Sequence, residues 1–351
     1  MRDPSALHLS LTSPRRGLSE PEASIGEGFG VSSAERLGGG GQVMISTIVN
    51  KAKDLGFIAC GFSPPSRPVY FDKFRVWLSD RKNADMSWLE RNVEVREDPT
   101  ILLKGCKTIV SLAYLYPSQK PGTPEGFTVS RYSQPAKEDY HSRLKGLSGE
   151  LVDVMGQIYP GTRSRICVDS APILEKSFAA SSGIGFIGKN NMLIMPGYGS
   201  YFYLAEILTT ANLGFLSMEP MENQCGICTR CIDSCPTGAL EKPFYLEASK
   251  CISYLTIEHK GRTKRDMGTK MGSCFFGCDR CQEVCPFNED EASMQIQLPP
   301  TDAFLQMNHE EFGERFGDTA FARAGLEKLK SNIQAVRAHD ETALRPKLKA
   351  S

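Results

Sequence analysis

Cys225-Gly226-Ile227-Cys228-Thr229-Arg230-Cys231-Ile232-Asp233-Ser234-Cys235-Pro236 is the stretch on which the reading of this chain turns. In the spacing CxxCxxCxxxCP three thiolates converge on one iron–sulfur cluster, while the fourth, set off by three residues and a proline, turns towards a second cluster. A matching half, Cys278-x2-Cys281-x3-Cys285-Pro286, lies downstream, so two clusters that exchange ligands are expected. Two 4Fe-4S clusters take eight thiolates, and the interval from Cys225 to Cys285 holds nine of the chain's twelve cysteines. The spacing leaves either Cys251 or Cys274 spare. Cys274-x3-Cys278 departs from the usual x2, and Cys251 is isolated in sequence. A zinc ribbon would show two CxxC pairs instead. A disulfide framework would call for a secretory signal, and the thiolates of oxygen-labile clusters favour a reducing cytoplasm.

Outward from this block the chain divides. It has 351 residues, with 41 Lys+Arg against 41 Asp+Glu. That length suffices for one large domain or two ordinary ones, and no apolar run approaches the ~18 residues of a spanning helix, so no membrane role is expected. A formal charge of zero gives no whole-chain attraction to nucleic acid, although a local basic patch is not excluded by the sum. Residues 1–43 are rich in Gly, Ser, Pro and charge without period and read as a disordered extension, with Met44 a candidate start. Arg15-Arg16 lacks the apolar segment of an export signal, because Glu20, Glu22 and Glu27 follow it.

Residues 44–222 read as an α+β domain. Its helical periods are Ile45 to Ala52, Phe71 to Leu78 and Lys137 to Ile158. Its strands are Gly56 to Phe62, Thr108 to Tyr116, Arg165 to Val168, Met192 to Met195 and Tyr201 to Leu208, expected in one mixed sheet, with a loop about Gly122 and Pro124. The strand from Arg165 delivers Asp169-Ser170, and Pro172 is expected to open a helix. On local signals Asp169 or Ser170 is a helix cap. Residues 223–290 hold too little apolar content to fold on packing alone. Residues 291–351 read as a helical closure on Phe312, Phe316, Phe321, Leu326 and Leu329 with a polar tail. The three dispersed cysteines, Cys60, Cys106 and Cys167, read as small core side chains.

Several stretches resemble the epoxyqueuosine reductase family. They are Asp169-Ser170-Ala171-Pro172 with Glu175-Lys176, Gly183 to Asn190 (GIGFIGKN), Gly199-Ser200-Tyr201-Phe202 with Glu206-Ile207-Leu208-Thr209, Cys251 to Gly261 (CISYLTIEHKG) and Phe276 to Pro286 (FGCDRCQEVCP). The resemblance covers roughly residues 44 to 336 and is specific at Cys251 to Gly261. It implies a cobalamin-binding mixed-sheet domain followed by a ferredoxin-like domain with two 4Fe-4S clusters. The implied reaction reduces the epoxide of epoxyqueuosine, at the wobble position of tRNA, to the alkene of queuosine. It also implies an external low-potential electron donor and a monomer in the cytoplasm. Carried over by position, Cys225, Cys228, Cys231 and Cys285 hold one cluster and Cys235, Cys251, Cys278 and Cys281 the other, which leaves Cys274 free.

By the same resemblance Asp169 is the proton donor and lies against the corrin. Protonation near neutrality asks that desolvation by the corrin face and substrate raise it from a reference pKa of about 3.9. Arg96, Arg131, Leu193, Leu204, Ser253, Lys260 and the Cys278-Asp279 peptide are the implied cobalamin contacts, the two leucines through main-chain atoms. The plain alternative for Arg96 and Arg131 is a solvated surface arginine. His259 is not expected to ligate cobalt. Lys260, Arg262, Lys264, Arg265 and Lys270, against Glu258 and Asp266, make a +3 segment suited to tRNA phosphates. The chain stops soon after Ala335 and lacks the C-terminal helical repeats of longer family members. Two rival readings are a cobalamin-dependent reductive dehalogenase, typically exported, and a two-cluster electron carrier, which needs no Asp-bearing domain ahead of its clusters.

Overall fold

The computed structural model describes residues 39–344 apart from 118, 136–137, 215–219 and 289–292, with side chains over 43–339. The extension expected over 1–43 lies outside the described residues except for its last five, which open the helix Gly39–Asp54. The tail beyond 344 lies outside them too.

A four-stranded sheet forms the first core, in the order Ala59–Ser63, Thr108–Leu115, Phe202–Thr209, Ser164–Cys167, with every pairing antiparallel. Its two central strands are buried almost throughout, because both faces are covered and alternation gives way to continuous apolar runs. The amphipathic helices Gly39–Asp54 and Tyr140–Ile158 pack Ile48, Leu144 and Leu151 against Val110, Leu112 and Ile207. The helix Glu175–Ser181 covers the opposite face with Phe178, Ala179 and Ala180. Cys60, Cys106 and Cys167 are all buried in these clusters. The expected mixed sheet needs correcting: Leu193–Ile194 pairs with Phe186–Ile187 in a separate hairpin, since a two-residue strand between glycine turns has no reach into the main ladder.

The segment read as a loop about Gly122 is a hairpin. Lys120–Gly122 and Thr128–Val129 pair antiparallel and sit at the centre of a second sheet, flanked in parallel by Met294–Ile296 and Cys274–Phe276. Phe275 and Phe276 are buried completely against Phe304 and Phe321 of the closing helices, with Phe312, Phe316, Leu326 and Leu329 around them. The cysteine block thus draws its apolar core from segments before and after it. Among the described residues no helix is long and apolar enough to cross a membrane.

Candidate active site and cluster-binding cysteines

Ser164–Cys167 is an edge strand, and the chain leaves it through Val168 into Asp169, whose φ is +53°. A non-glycine residue in that region is strained and must be held by its neighbours. The Asp169 N–H donates to Glu175 Oε1 at 2.6 Å. Its carboxylate Oδ2 accepts from the Tyr140 hydroxyl at 3.2 Å and lies 3.3 Å from His141 Nε2. His141 Nδ1 is 2.6 Å from Asp139 Oδ1, and that oxygen also caps the helix by accepting the His141 N–H. The Tyr140 ring stacks on His141 at 4.0 Å and on Tyr203 at 4.5 Å. The helix start at Tyr140 therefore presents a hydroxyl and an imidazole to the turn. Neither was singled out from sequence, where the two read only as the beginning of an amphipathic helix.

One sequence expectation fails here. Asp169 caps nothing: Pro172 lies in the turn, and the helix begins at Glu175 behind Leu174. At the Asp169 carboxyl, the His141 hydrogen bond and the other partners lower the pKa by more than burial raises it. Its side chain is 66% exposed, and the His141 hydrogen bond leads in holding its carboxyl below the ordinary value. Burial pulls His141 down, but its hydrogen bonds to Asp169 and Asp139 outweigh that and leave it above the ordinary value. The neighbouring Glu175 carboxyl is instead raised, pushed up to about 8 by burial and by the Asp169 charge.

Beside the turn is an open cavity of about 460 Å³ lined by Trp88, Arg91, Asn92, Arg96, Ser170 and Pro172. Arg96 is buried and donates to the Arg91 carbonyl at 2.6 Å. From the C-terminal helices Arg323 lies over the Trp88 ring at 5.0 Å and bonds Glu258. Arg131 is enclosed, with its guanidinium 4.2 Å from the Tyr201 ring, while its backbone N–H donates to the Asp279 carboxylate. Neither Arg96 nor Arg131 is a solvated surface arginine. Among the described residues all three Arg131 guanidinium nitrogens lack a hydrogen-bond partner, a demand for acceptors that the amide arms of a corrin would meet. Leu193 and Leu204 share one apolar cluster. Ser253 is half-buried on the helix Ile252–Ile257, and Lys260 is exposed. His259 faces Asp85, with Nδ1 3.3 Å from Oδ2.

The cysteines fall into two neighbourhoods. Cys231 lies close to Cys225 and Cys285, and Cys285 close to Cys225 and Cys228. Cys251 is close to Cys235, and Cys278 and Cys281 are both close to Cys251, with Cys281 also near Cys231 where the two sets adjoin. Among the described residues no three His, Cys, Asp or Glu side chains close in tightly enough for one metal ion, whereas a four-iron cube holds its thiolates farther apart. Cys274 also neighbours Cys278, but its thiol donates to the carbonyls of Phe276 and Gly277, and burial pushes it up to about 12. The thiol sets therefore suit two clusters.

Loops from the first core clasp both sets. Lys189 Nζ donates to the Gly226 and Cys228 carbonyls at 2.6 and 2.9 Å, and Asn190 donates to the Cys281 carbonyl. The Ser200 N–H and hydroxyl are tied to Asn288, and Gln282 donates back to Ser200. The Ala239 N–H and the Thr237 hydroxyl approach the Cys235 sulfur at 3.2 and 3.5 Å, the kind of hydrogen bond that tunes a cluster's potential.

Comparisons with known proteins agree with this geometry. Residues 96–170 match the family model described as epoxyqueuosine reductase QueG, DUF1730, and residues 224–288 match a 4Fe-4S double cluster binding domain. The epoxyqueuosine reductase of Leadbetterella byssophila is 34% identical over 82% of this chain and 96% of its own. The chain belongs to the epoxyqueuosine reductase family. A solved epoxyqueuosine reductase with an epoxyqueuosine-modified tRNA-Tyr stem loop is similar over 85% of this chain and 82% of its own, with TM-score 0.73 and 30% identity. Another, from Bacillus subtilis, covers 87% and 84% with the same score and identity, and has its aspartate-bearing catalytic loop swung out of the active site. In this chain the exposed, left-handed turn at Asp169 is held by Tyr140, His141 and Glu175.

Proposed function

We propose that this chain reduces the epoxide of epoxyqueuosine in tRNA to the alkene of queuosine, using cobalamin and two 4Fe-4S clusters. The observation that carries this reading is the placement of an aspartate–imidazole couple beside an arginine-lined cavity, in one body with two thiol sets. When bound, a reduced corrin supplies electrons at cobalt, replenished singly through the clusters from an external low-potential donor. Cys225, Cys228, Cys231 and Cys285 are suited to hold one cluster, and Cys235, Cys251, Cys278 and Cys281 the other. Arg96, Arg131, Leu193, Leu204, Ser253, Lys260 and the Cys278-Asp279 peptide would face the cobalamin.

Epoxide opening leaves negative charge on oxygen, and a positioned acid lowers that barrier. Asp169 is a carboxylate at rest, and the raised His141 beside it holds the proton. The couple therefore delivers a proton through Asp169 Oδ2, with Asp139 fixing the imidazole by its Nδ1. Trp88, Arg91 and Asn92 line a space of about 460 Å³ together with Ser170, the residue that follows Asp169. Arg262, Lys264, Arg265 and Lys270 are exposed, and among the described residues they form no ion pair, leaving them free for tRNA phosphates. The enzyme is proposed to act as a monomer in the cytoplasm, where its substrate is. Anaerobic reconstitution with iron, sulfide and cobalamin, followed by mass spectrometry of nucleosides from epoxyqueuosine tRNA, tests the reading. Queuosine is expected under strong reductant, and its absence with both cofactors loaded overturns the assignment.

A further inference from the structure

The stretch Gly183 to Asn190 supplies no thiol and no part of the turn at Asp169, yet its last two residues bind the loops of both thiol sets. The chain leaves the strand Phe186–Ile187 through Gly188, where a Cβ would lie 2.5 Å from Ile194 and 2.8 Å from Asn190 Oδ1. Only a glycine fits so close a turn. Beyond it the Lys189 carbonyl accepts the Phe244 N–H at 3.0 Å, and Asn190 Oδ1 accepts the Met192 N–H at 3.2 Å. The two side chains then part company. Lys189 Nζ donates to the Gly226 and Cys228 carbonyls at 2.6 and 2.9 Å, and Asn190 Nδ2 to the Cys281 carbonyl at 3.1 Å. One loop receives a charged donor and the other a neutral one.

Among the described residues Lys189 forms no ion pair, so no carboxylate there offsets its charge. The cations near the other thiol set are met by acids. Lys120, which influences Cys278, is paired with Glu283 at 2.5 Å and lies 3.7 Å from Asp279. Lys176, near Cys281, stands within the fields of Glu175 and Asp169. The loop that Lys189 holds is also the outer one. Ile227, between Cys225 and Cys228, is fully exposed, whereas Asp279 and Gln282, beside Cys278 and Cys281, are buried.

Building on the ligand sets given above, we propose that the Lys189 ammonium raises the reduction potential of the cluster held by Cys225, Cys228, Cys231 and Cys285, and so fits it to take electrons from the external donor. Each reduction adds one electron from that donor, and one negative charge, to the cluster and its thiolates, with no bond made or broken. A fixed cation on the ligand loop stabilises the added charge. At roughly one residue's length, in the dielectric near a protein surface, a unit charge changes such an equilibrium about tenfold. Lys189 is a positioning residue that acts through the Gly226 and Cys228 peptides.

The test is a potentiometric titration of the anaerobically reconstituted holoenzyme, read by electron paramagnetic resonance. Lys189→Gln keeps a donor for the carbonyls but no charge, and Lys189→Arg keeps both. Cys228→Ser alters the same ligand set and so identifies its signal. At a fixed potential Lys189→Gln should lower the ratio of reduced to oxidised outer cluster about tenfold, or ~59 mV for one electron, and leave the other midpoint in place. Lys189→Arg should stay near wild type. With a weak reductant Lys189→Gln should lose kcat at unchanged KM for tRNA, and a stronger reductant should restore it. Equal midpoints in wild type and Lys189→Gln, the same loss in Lys189→Arg, or a shift confined to the other cluster overturns the inference. Iron content reports loading. Should Lys189→Gln load poorly, Lys189→Met is titrated in its place, and failure of both to hold the outer cluster would make Lys189 a brace of the loop alone and overturn the inference. The titration needs no tRNA, so absence of queuosine with the shift present would fault the reaction assigned above and leave the role of Lys189 standing.

Discussion

Asp169 is a carboxylate held at a strained turn by an imidazole, and that pairing fixes how it should respond to change. Asp169→Asn keeps the size and removes the acid, so turnover should fall at least ~10²-fold while corrin and cluster absorbance stay intact; full activity would remove Asp169 from the chemistry. The two members of the pair titrate in opposite senses. His141 is raised in the folded state, so its stabilising contribution is complete below its ordinary value of about 6.5 and is lost as pH rises through the folded one. Asp169 is lowered, so its contribution is present above the ordinary carboxylate range and lost as pH falls through its folded value. Replacing His141 by Gln should therefore narrow the stability gap to wild type as the solution is made alkaline. Urea melts across pH read this directly, and a gap that widens with pH would contradict the pairing. The sequence marked Asp169 through its motif but did not show what lowers its proton affinity. The cause, His141, lies 28 residues earlier on a helix whose period advertises only its buried side.

At the scale of elements, the long, periodic pieces were legible and the short, non-local ones were not. Tyr140–Ile158 and Thr108–Leu115 carry enough residues for their period to show. Lys120–Gly122 and Thr128–Val129 are too short for any period, and each finds a partner strand far along the chain. The cysteine grouping lay between these cases. Spacing located the two motifs but left Cys251 and Cys274 equivalent, because only the fold sets Cys251 near Cys235 and commits the Cys274 thiol to two carbonyls. The helix Met267–Met271 gives a clear test of packing between elements. A Cβ on Gly268 would lie 2.0 Å from the Ala335 carbonyl oxygen in the helix Leu326–Leu344. Glycine to alanine inside a helix normally stabilises by up to about 1 kcal/mol. Here the backbone contact should reverse the sign, and Gly268→Ala should destabilise by ~1–3 kcal/mol, read as a lower Tm. A raised Tm would mean the two helices separate at little cost.

The whole molecule sums to zero charge, yet its proposed substrate is a polyanion, so affinity has to come from an uneven distribution. The segment from Glu258 to Lys270 carries five basic against two acidic residues, and one of the acids, Glu258, is already bound by Arg323. Lys328 reaches under the loop to the Gly261 carbonyl at 2.8 Å; burial and the nearby Lys260 lower it to about 8. The loop is thus braced from below while its cations point to solvent. Each cation on a phosphate releases bound counterions, which makes log affinity fall with log salt by roughly 0.7 to 0.9 per contact. Replacing Arg262, Lys264 and Arg265 together by Gln should lower that slope by about two to three. It should also weaken tRNA binding most at low salt and leave kcat at saturating tRNA near wild type, because none of the three lines the cavity at Asp169. Filter binding across salt concentrations measures the slope. An unchanged slope would move the phosphate contacts elsewhere on the surface, and a lost kcat would mean that this loop shapes the active site itself.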